Sequence, residues 1–306
     1  MNLVEKETHY LMKELILTEQ ANKNTQNIDL EDTLTIVSLI NKEDQAVPVA
    51  IEKELKAIAS AVDMISESFL SGGNLLYFGA GTSGRLGVLD ASECPPTFGV
   101  EAELVRGYIA GGDTALRNAV EGAEDIFEDG ENDLIKSGVT NIDVVTGISA
   151  SGNAPYICGV LSKAKEIGAK TIALTCNKKA LIAEYSDIHI APEVGPEVIT
   201  GSTRLKAGTA HKMILNMLTT GAMIKTGKTY HNFMIDLKPV NKKLIDRATR
   251  IIQELTNVDR DKAYETLLRA DKNVKVAVVM LNKNLKKDEA IKLLNQYNSK
   301  LRLIIG

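Results

Sequence analysis

Short apolar runs alternate with helix-length amphipathic stretches through the middle of this 306-residue chain. Parallel strands need crossover connections of about a dozen residues or more, and helices in those connections cover both faces of the sheet. The alternation therefore predicts an α/β fold, in which a five-stranded parallel sheet forms the middle layer of an αβα sandwich. The predicted strands are Leu75–Phe78, Leu104–Ile109, Val144–Ile148, Thr171–Thr175 and Ile188–Ile190.

Helical patterns without strands flank this region on both sides. Beyond Lys238 and Pro239 the alternation stops, and helix-like segments follow. Residues 274–281 fit a helix or a strand by periodicity, and we expect a helix because an isolated strand there would have no partner. We predict three units, which are an N-terminal helical segment at residues 1–56, an α/β domain at 57–240 and a small C-terminal helical subdomain at 241–306.

Composition narrows the classes of partner. The formal net charge is −4 and no basic block stands out, which argues against nucleic-acid binding. Apolar runs stay well below the ~20 residues of a membrane span, and residues 1–7 lack the pattern of a signal peptide, so we expect a cytoplasmic protein. The three cysteines are widely spaced, and the four histidines, His9 among them, form no ligand pattern, so no disulfide frame or metal site is expected.

A glycine-rich turn with hydroxyl side chains follows the first predicted strand. The segment Gly79–Arg85 holds Thr82, Ser83 and Gly84 at the start of an amphipathic stretch. Glycines let the backbone approach a ligand closely, and a helix N-terminus offers unpaired N–H groups and the positive end of the helix dipole. The sequence therefore predicts that neutral donors hold a phosphate at this turn.

Two more loops rich in small and hydroxyl residues are expected at the same edge of the sheet. Ser149 and Ser151 follow the third strand, and Ser202 and Thr203 precede a long helical run. Ligands of parallel sheets bind beyond the carboxyl ends of the strands, so the three loops should converge on one ligand. Each hydroxyl taken alone is more often a helix cap or turn residue, and Lys206 fits either a ligand contact or an ion pair.

The glycine spacing of the turn also satisfies the G-x-G-x-x-G fingerprint of dinucleotide-binding proteins. Such a site requires an acidic residue at the end of the second strand, roughly 20 residues on, to hold a ribose. Glu101 and Glu103 lie near that distance but precede the second strand, and Pro95 and Pro96 should interrupt the intervening helix. A single phosphate is therefore favoured over a dinucleotide.

Two groups of carboxylates follow the predicted ligand loops. Glu93 comes one short helical stretch after the glycine turn, and Glu121 and Glu124 follow the second strand and a predicted helix. Two carboxylates on one ligand can divide acid and base roles, with burial raising one pKa toward neutrality. A solvated surface acid is the alternative for each of them.

The chain carries five longer motifs, which are Gly79–Gly87, Asp90–Thr97, Ala110–Gly112, Glu121–Asp125 and Thr200–Thr209. Together, and in this order, they closely resemble the N-acetylmuramic acid 6-phosphate etherases of the sugar isomerase (SIS) family. The resemblance covers almost the whole chain, from Thr18 and Glu19 through Asn241 to the C-terminal helices.

That resemblance implies cleavage of the D-lactyl ether of N-acetylmuramate 6-phosphate during cell-wall sugar recycling, giving N-acetylglucosamine 6-phosphate and D-lactate without a cofactor. In this chemistry the open-chain C1 aldehyde acidifies the C2 proton, a base removes it, lactate leaves from C3, and water adds at C3. By the resemblance, Glu93 protonates the departing lactate and then acts as base for water. Glu124 matches the second catalytic carboxylate, with C2 proton abstraction as its suggested role.

The resemblance also implies that Glu121 orients the sugar, that the protein is a homodimer with sites near the subunit contact, and that the C-terminal helices form a ubiquitin-associated-like bundle. The remaining contacts to the phosphosugar are expected from Thr82, Ser83, Gly84, Ser149, Ser151, Ser202, Thr203 and Lys206.

Two other functions on the same fold stay open at this point. SIS relatives include regulators that bind sugar phosphates without catalysis, as the glucokinase regulatory protein does, and aldose–ketose isomerases, which move a proton between C1 and C2. A regulator has no need for an acid at Glu93, and an isomerase has no leaving group to protonate. Lactate release that depends on Glu93 would distinguish the etherase from both.

Overall fold

A parallel five-stranded sheet forms the centre of the computed structural model, which describes residues 17–306. The strands pair in the order β2-β1-β3-β4-β5, which confirms the predicted sheet. Predictions for residues 1–16, including His9, lie outside the described residues. The strands are β1 (Leu75–Gly79), β2 (Val105–Ile109), β3 (Val144–Ile148), β4 (Lys170–Leu174) and β5 (Ile188–Ile190).

Helices cover both faces of the sheet. Side chains alternate between the two faces along β1, so that Leu75 and Tyr77 join the core beneath α3, α4 and α8, whereas Leu76 and Phe78 join the core beneath α7. The helices up to this point of the chain are α1 (Thr33–Asp44), α2 (Ala46–Glu52), α3 (Leu55–Leu70), α4 (Gly81–Phe98), α5 (Gly112–Arg117), α6 (Phe127–Lys136), α7 (Pro155–Ile167) and α8 (Lys206–Lys225), and the short 3-10 turns are Leu17–Glu19, Lys23–Thr25, Ile28–Leu30 and Leu181–Tyr185.

The strand order creates a crevice between β1 and β3. The chain leaves β1 toward β2 on one side and later returns to β3 on the other, and such a reversal is where open α/β sheets bind ligands. Gly79 and Ile148, the last residues of β1 and β3, are directly paired. The loops that follow these two strands therefore start side by side at one edge of the sheet.

The prolines do not interrupt the helix after the glycine turn, so that prediction was wrong. Helix α4 continues through Pro95 and Pro96 to Phe98 and ends at Gly99, whose φ is 65° and whose N–H donates to the Pro95 carbonyl at 2.9 Å. Each proline lacks the N–H that would donate to the carbonyl four residues earlier, so α4 forgoes two hydrogen bonds but keeps its helical course to Phe98. Glu93 consequently lies on a helix face, not in a loop.

A second group of helices follows the sheet and has its own core, to which Ile235 and Leu237 contribute. The ambiguous segment 274–281 is helical, as expected. A short hairpin that the sequence did not predict precedes these helices. The predicted boundary between the α/β domain and the C-terminal subdomain, at residue 240, stays a prediction. The elements are β6 (Thr229–Tyr230), β7 (Phe233–Met234), α9 (Lys242–Thr256), α10 (Arg260–Arg269), α11 (Val274–Lys283), α12 (Lys287–Gln296) and α13 (Arg302–Ile305). None of the helices within residues 17–306 has both the length and the apolar character needed to cross a bilayer.

At Gly99, the end of α4 packs closely against the backbone of Asp236, in the segment that leads into the C-terminal helices. A Cβ at this position would overlap the Asp236 carbonyl oxygen, and φ is positive there. We expect Gly99→Ala to lower the free energy of unfolding by about 3 kcal/mol. The Asp236 backbone must move away from the new Cβ, and alanine is strained at a positive φ. Gly72 also has a positive φ but open space around it, so Gly72→Ala should lose only about 1 kcal/mol. Urea unfolding of both variants measures the difference, and equal losses would contradict the steric explanation.

Candidate functional site

The N-terminus of α4 is open to a ligand. Ala80, the residue before the helix, provides no side-chain cap, and within residues 17–306 the N–H groups of Gly81, Thr82 and Ser83 have no backbone acceptor. A Cβ at Gly84 would lie 2.6 Å from the Ile109 side chain, so this glycine allows the loop to pack against β2. The turn predicted to hold a phosphate thus presents three free donors at the positive end of an 18-residue helix.

Helix α8 packs beside this turn and helps to fix it. The Thr82 methyl group lies 3.4 Å from where a Cβ on Gly208 would be. Ser83 Oγ lies 3.5 Å from His211 Nδ1, and His211 Nε2 lies 3.7 Å from Cys176 Sγ, in the loop after β4. Burial lowers the pKa of His211 to about 4, so the imidazole is neutral at pH 7 and contributes packing rather than charge.

The loop after β3 contributes two serines to the same edge. Ser149 Oγ accepts from the Gly152 N–H at 3.1 Å, and Ser151 Oγ accepts from the Asn153 N–H at 3.3 Å. Each hydroxyl keeps its own O–H to donate to an anion. Because Ser149 follows Ile148, which pairs with the last residue of β1, this serine starts its loop beside the glycine turn.

The third loop leads into a helix whose N-terminus is already occupied by a carboxylate of the chain. The buried carboxylate of Glu197 accepts the N–H groups of Lys206 and Ala207, both at 2.9 Å, and so caps α8. Ser202 and Thr203 are half-buried just before the cap, and the Thr203 carbonyl accepts from the Gly208 N–H. Their role in ligand binding stays a prediction.

Lys206 takes part in a buried ion pair. Its side chain is 2% exposed, and Nζ donates to Glu43 Oε2 at 2.8 Å. Asn22 and Asn24 donate to the same Glu43 carboxylate at 2.7 and 2.8 Å. The ion-pair alternative considered for Lys206 is therefore what the structure shows, and the pair ties the N-terminal segment to α8.

Glu121 and Glu124 lie next to the glycine turn. Both line a cavity of about 180 Å³ together with Gly81 and Arg85 of α4. The Arg85 guanidinium donates to backbone carbonyls of the segment that leads into these acids, including the Leu116 carbonyl at 3.1 Å. Partial burial, followed by the neighbouring Asp125 carboxylate, raises the pKa of Glu124 above that of an ordinary glutamate.

Glu93 lies elsewhere along α4. It is exposed and lines a second cavity of about 300 Å³ together with Lys212 and Asn216 of α8. Ten residues of helix separate it from Ser83, so their Cα atoms are about 15 Å apart. Within one chain, the structure therefore brings Glu124 to the phosphate turn but places Glu93 in a separate cavity.

A buried carboxylate that the sequence analysis did not single out supports the second cavity. Asp90 accepts hydrogen bonds from Asn216 Nδ2 at 2.6 Å, from Thr219 Oγ1 at 3.3 Å and from the Tyr77 hydroxyl at 3.1 Å. Burial raises its pKa although these hydrogen bonds oppose the shift. The sequence signal for this network is the helical spacing of residues 208, 212, 215, 216 and 219, which places them on one side of α8.

No cluster of three or more His, Cys, Asp or Glu side chains within residues 17–306 could hold a metal ion. The donors that converge at the turn are instead backbone N–H groups and hydroxyls.

Family models match three parts of the chain. Residues 57–165 match the N-terminal SIS domain of glucokinase regulatory protein, residues 121–221 match the SIS domain, and residues 231–292 match the C-terminal lid domain of glucokinase regulatory protein. The C-terminal match is thus to a lid domain, where the sequence had suggested a ubiquitin-associated-like bundle.

Relatives of similar length are about half identical to this chain. A protein from Clostridium botulinum (strain Hall) named N-acetylmuramic acid 6-phosphate etherase is 52% identical over 281 residues, 92% of this chain and 93% of the relative. N-acetylmuramic acid 6-phosphate etherase 2 from Lactiplantibacillus plantarum is 50% identical over 293 residues, 96% of this chain and 99% of the relative. A phosphoheptose isomerase structure from Francisella tularensis aligns with a TM-score of 0.49 at 21% identity, covering 63% of this chain and 98% of that one.

The buried imidazole of His211 makes stability depend on pH. Its pKa falls from about 6.5 when unfolded to about 4 when folded, so its contribution is complete above pH 6.5 and is lost as pH falls toward 4. We expect a loss of about 3 kcal/mol over that interval, reduced in His211→Gln. The exposed His231 gives the control, because His231→Gln should leave the pH dependence unchanged. Chemical denaturation from pH 4 to pH 7.5 tests this, and an unchanged slope in His211→Gln would contradict it.

Proposed function

This chain belongs to the family of N-acetylmuramic acid 6-phosphate etherases, and we propose that it cleaves the D-lactyl ether of N-acetylmuramate 6-phosphate. The products are N-acetylglucosamine 6-phosphate and D-lactate. The observation that carries the proposal is the open N-terminus of α4, with Thr82, Ser83 and the β3 serines around it and Glu124 in the adjoining cavity. We further propose that the reaction serves cell-wall amino-sugar recycling in the cytoplasm.

The phosphate is the anchor of the substrate. The free N–H groups at the start of α4 and the hydroxyls of Thr82, Ser83, Ser149 and Ser151 donate to its oxygens, while the helix dipole favours its negative charge. These donors are neutral, and two cations near the turn have partners within the chain, since Lys206 pairs with Glu43 and the Arg85 guanidinium donates to backbone carbonyls. Glu121 lies beside Glu124 in the same cavity and orients the sugar.

Cleavage proceeds by elimination and addition. With the sugar ring open, Glu124 removes the C2 proton, the electrons form a C2–C3 double bond, and the C3–O bond breaks as Glu93 protonates the leaving lactate oxygen. Glu93, now ionised, takes a proton from water, whose oxygen adds to C3 as C2 regains a proton. A raised pKa suits Glu124 to this role, because a base works best when its pKa is near the operating pH.

The two carboxylates act on adjacent carbon atoms, so both must come within hydrogen-bond reach of one substrate. They line separate cavities within one chain. We therefore propose a homodimer in which one chain supplies the phosphate turn and Glu124 and the other supplies Glu93. Apolar side chains exposed beside both cavities support such a contact, Leu89 next to Glu93 at 48% exposure and Val120 next to Glu121 at 41%.

Complementation between two inactive variants tests this arrangement. Glu93→Gln and Glu124→Gln should each release D-lactate about 100-fold to 10,000-fold more slowly than the wild type, as expected for loss of an acid or base. When the two variants are unfolded together, refolded and mixed one to one, about a quarter of wild-type activity should return, because half of the dimers carry one intact site.

A wild-type chain that releases no lactate from N-acetylmuramate 6-phosphate would rule out the etherase, and full activity in either variant would rule out the role given to that residue. No recovery in the mixture would place both carboxylates in one chain, provided that native mass spectrometry detects heterodimers after one of the two variants is labelled with a heavy nitrogen isotope.

The pH profile tests the role of Glu124 as base. Activity should fall as pH drops through the raised pKa of Glu124, so the acid limb of kcat/KM lies above the range of an ordinary glutamate. Asp125→Asn removes a neighbouring negative charge and should move this limb to lower pH. The control is Asp113→Asn, an exposed acid in α5 that is not among the causes of the shift. An acid limb in the range of an ordinary glutamate, or one that is unmoved in Asp125→Asn, would contradict the role of Glu124 as the base.

A further inference from the structure

The cavity beside Glu93 has a lining that fits a small, partly apolar anion. It lies between α4 and α8 and has a volume of about 300 Å³. Three leucines supply apolar surface, and one lysine supplies positive charge. The lining residues are Leu86, Leu89, Asp90, Glu93, Lys212, Leu215 and Asn216.

Lys212 is the cation of this cavity that is free to bind. It is exposed, and the structure records no salt bridge for it among residues 17–306. The buried Asp90 carboxylate is already satisfied by Asn216, Thr219 and Tyr77. Lys212 and Glu93 line the same cavity, and Lys212 acts on the Asp90 carboxylate only through charge attraction, because no salt bridge joins the two among residues 17–306.

Two other cations near the proposed site are engaged by groups within the chain. The Arg85 guanidinium donates to the Leu116 and Asn118 carbonyls at 3.1 and 3.3 Å. Lys206 is buried in its pair with Glu43. In the cavity beside Glu93, the cation that can match a second negative charge on the substrate is Lys212.

The etherase substrate carries such a charge on its leaving group. A lactyl ether consists of the ether oxygen, a carbon with a methyl group, and a carboxylate. We propose that the cavity between α4 and α8 is the lactyl subsite, in which Lys212 binds the lactyl carboxylate and Leu86, Leu89 and Leu215 contact the methyl group. This inference rests on the proposed function, because it places the leaving oxygen next to the acid, Glu93.

In this position, Lys212 distinguishes substrates that carry a lactyl carboxylate from other phosphosugars. Phosphosugars without a lactyl group gain nothing from it, whereas a substrate with the carboxylate gains a charge-assisted contact. Asn216 also lines the cavity, and its hydrogen bond to the buried Asp90 carboxylate joins α8 to α4 there.

Replacement of Lys212 tests the inference. We expect Lys212→Met to lower kcat/KM for N-acetylmuramate 6-phosphate by about 30-fold or more, chiefly through KM, and Lys212→Arg to retain most of the activity. The dissociation constant for N-acetylglucosamine 6-phosphate, measured calorimetrically, should stay within about twofold, since that ligand has no lactyl group. Lys225→Met, a surface lysine on the same helix outside the cavity, is the matched control.

A neutral substrate makes the test independent of folding. With the lactyl carboxylate converted to its amide, wild type and Lys212→Met should turn over the substrate at similar rates, because the charge that Lys212 recognises is gone. An active wild type whose kcat/KM is unchanged by Lys212→Met, or an equal loss on acid and amide, would overturn this inference alone. A wild type without lactate release would overturn the proposed function instead.

Discussion

The carboxylate of Asp90, buried between α4 and α8, is the interaction on which the site depends. It lies on α4, accepts hydrogen bonds from Asn216 and Thr219 on α8 and from Tyr77 on β1, and so joins both helices to the sheet. A buried carboxylate is tolerated only when its lone pairs are satisfied, which fixes the register of the two helices. That register sets Thr82 against Gly208 near the start of both helices and leaves Glu93 and Lys212 lining one cavity between them.

Charges in this protein divide into those that hold the scaffold and those that face the proposed substrate. Glu197 caps α8, Glu43 pairs with Lys206, and the backbone engages Arg85, so each of these groups has its partners within the chain. Glu93 and Lys212 are exposed and line a cavity. The N-termini of the two helices differ in the same way. The Glu197 carboxylate caps α8, whereas the N–H groups at the start of α4 stay free to bind an anion.

The sheet and its loops could be predicted from the sequence because strands buried on both faces leave continuous apolar runs, such as Leu75 to Phe78. Contacts between residues that lie far apart in the chain could not be predicted from the sequence. The glutamate that caps α8 lies nine residues before it, the partner of Lys206 is 163 residues away, and neither leaves a local pattern. Pro95 and Pro96 argued for a helix end on local grounds, but Gly99 terminates the helix instead. Lys212 was missed because helix positions become neighbours of Glu93 only once α4 and α8 pack together.

The central claim is that paired carboxylates break the bond between C3 of the sugar and the lactyl oxygen by elimination, after which water adds. Mass spectrometry of both products formed by the wild type in heavy-oxygen water tests it most directly. The account predicts the label in N-acetylglucosamine 6-phosphate, at C3, and none in the D-lactate that leaves with the ether oxygen. Label in the lactate and not in the sugar would show that the bond on the other side of the oxygen is cleaved, and would contradict the account.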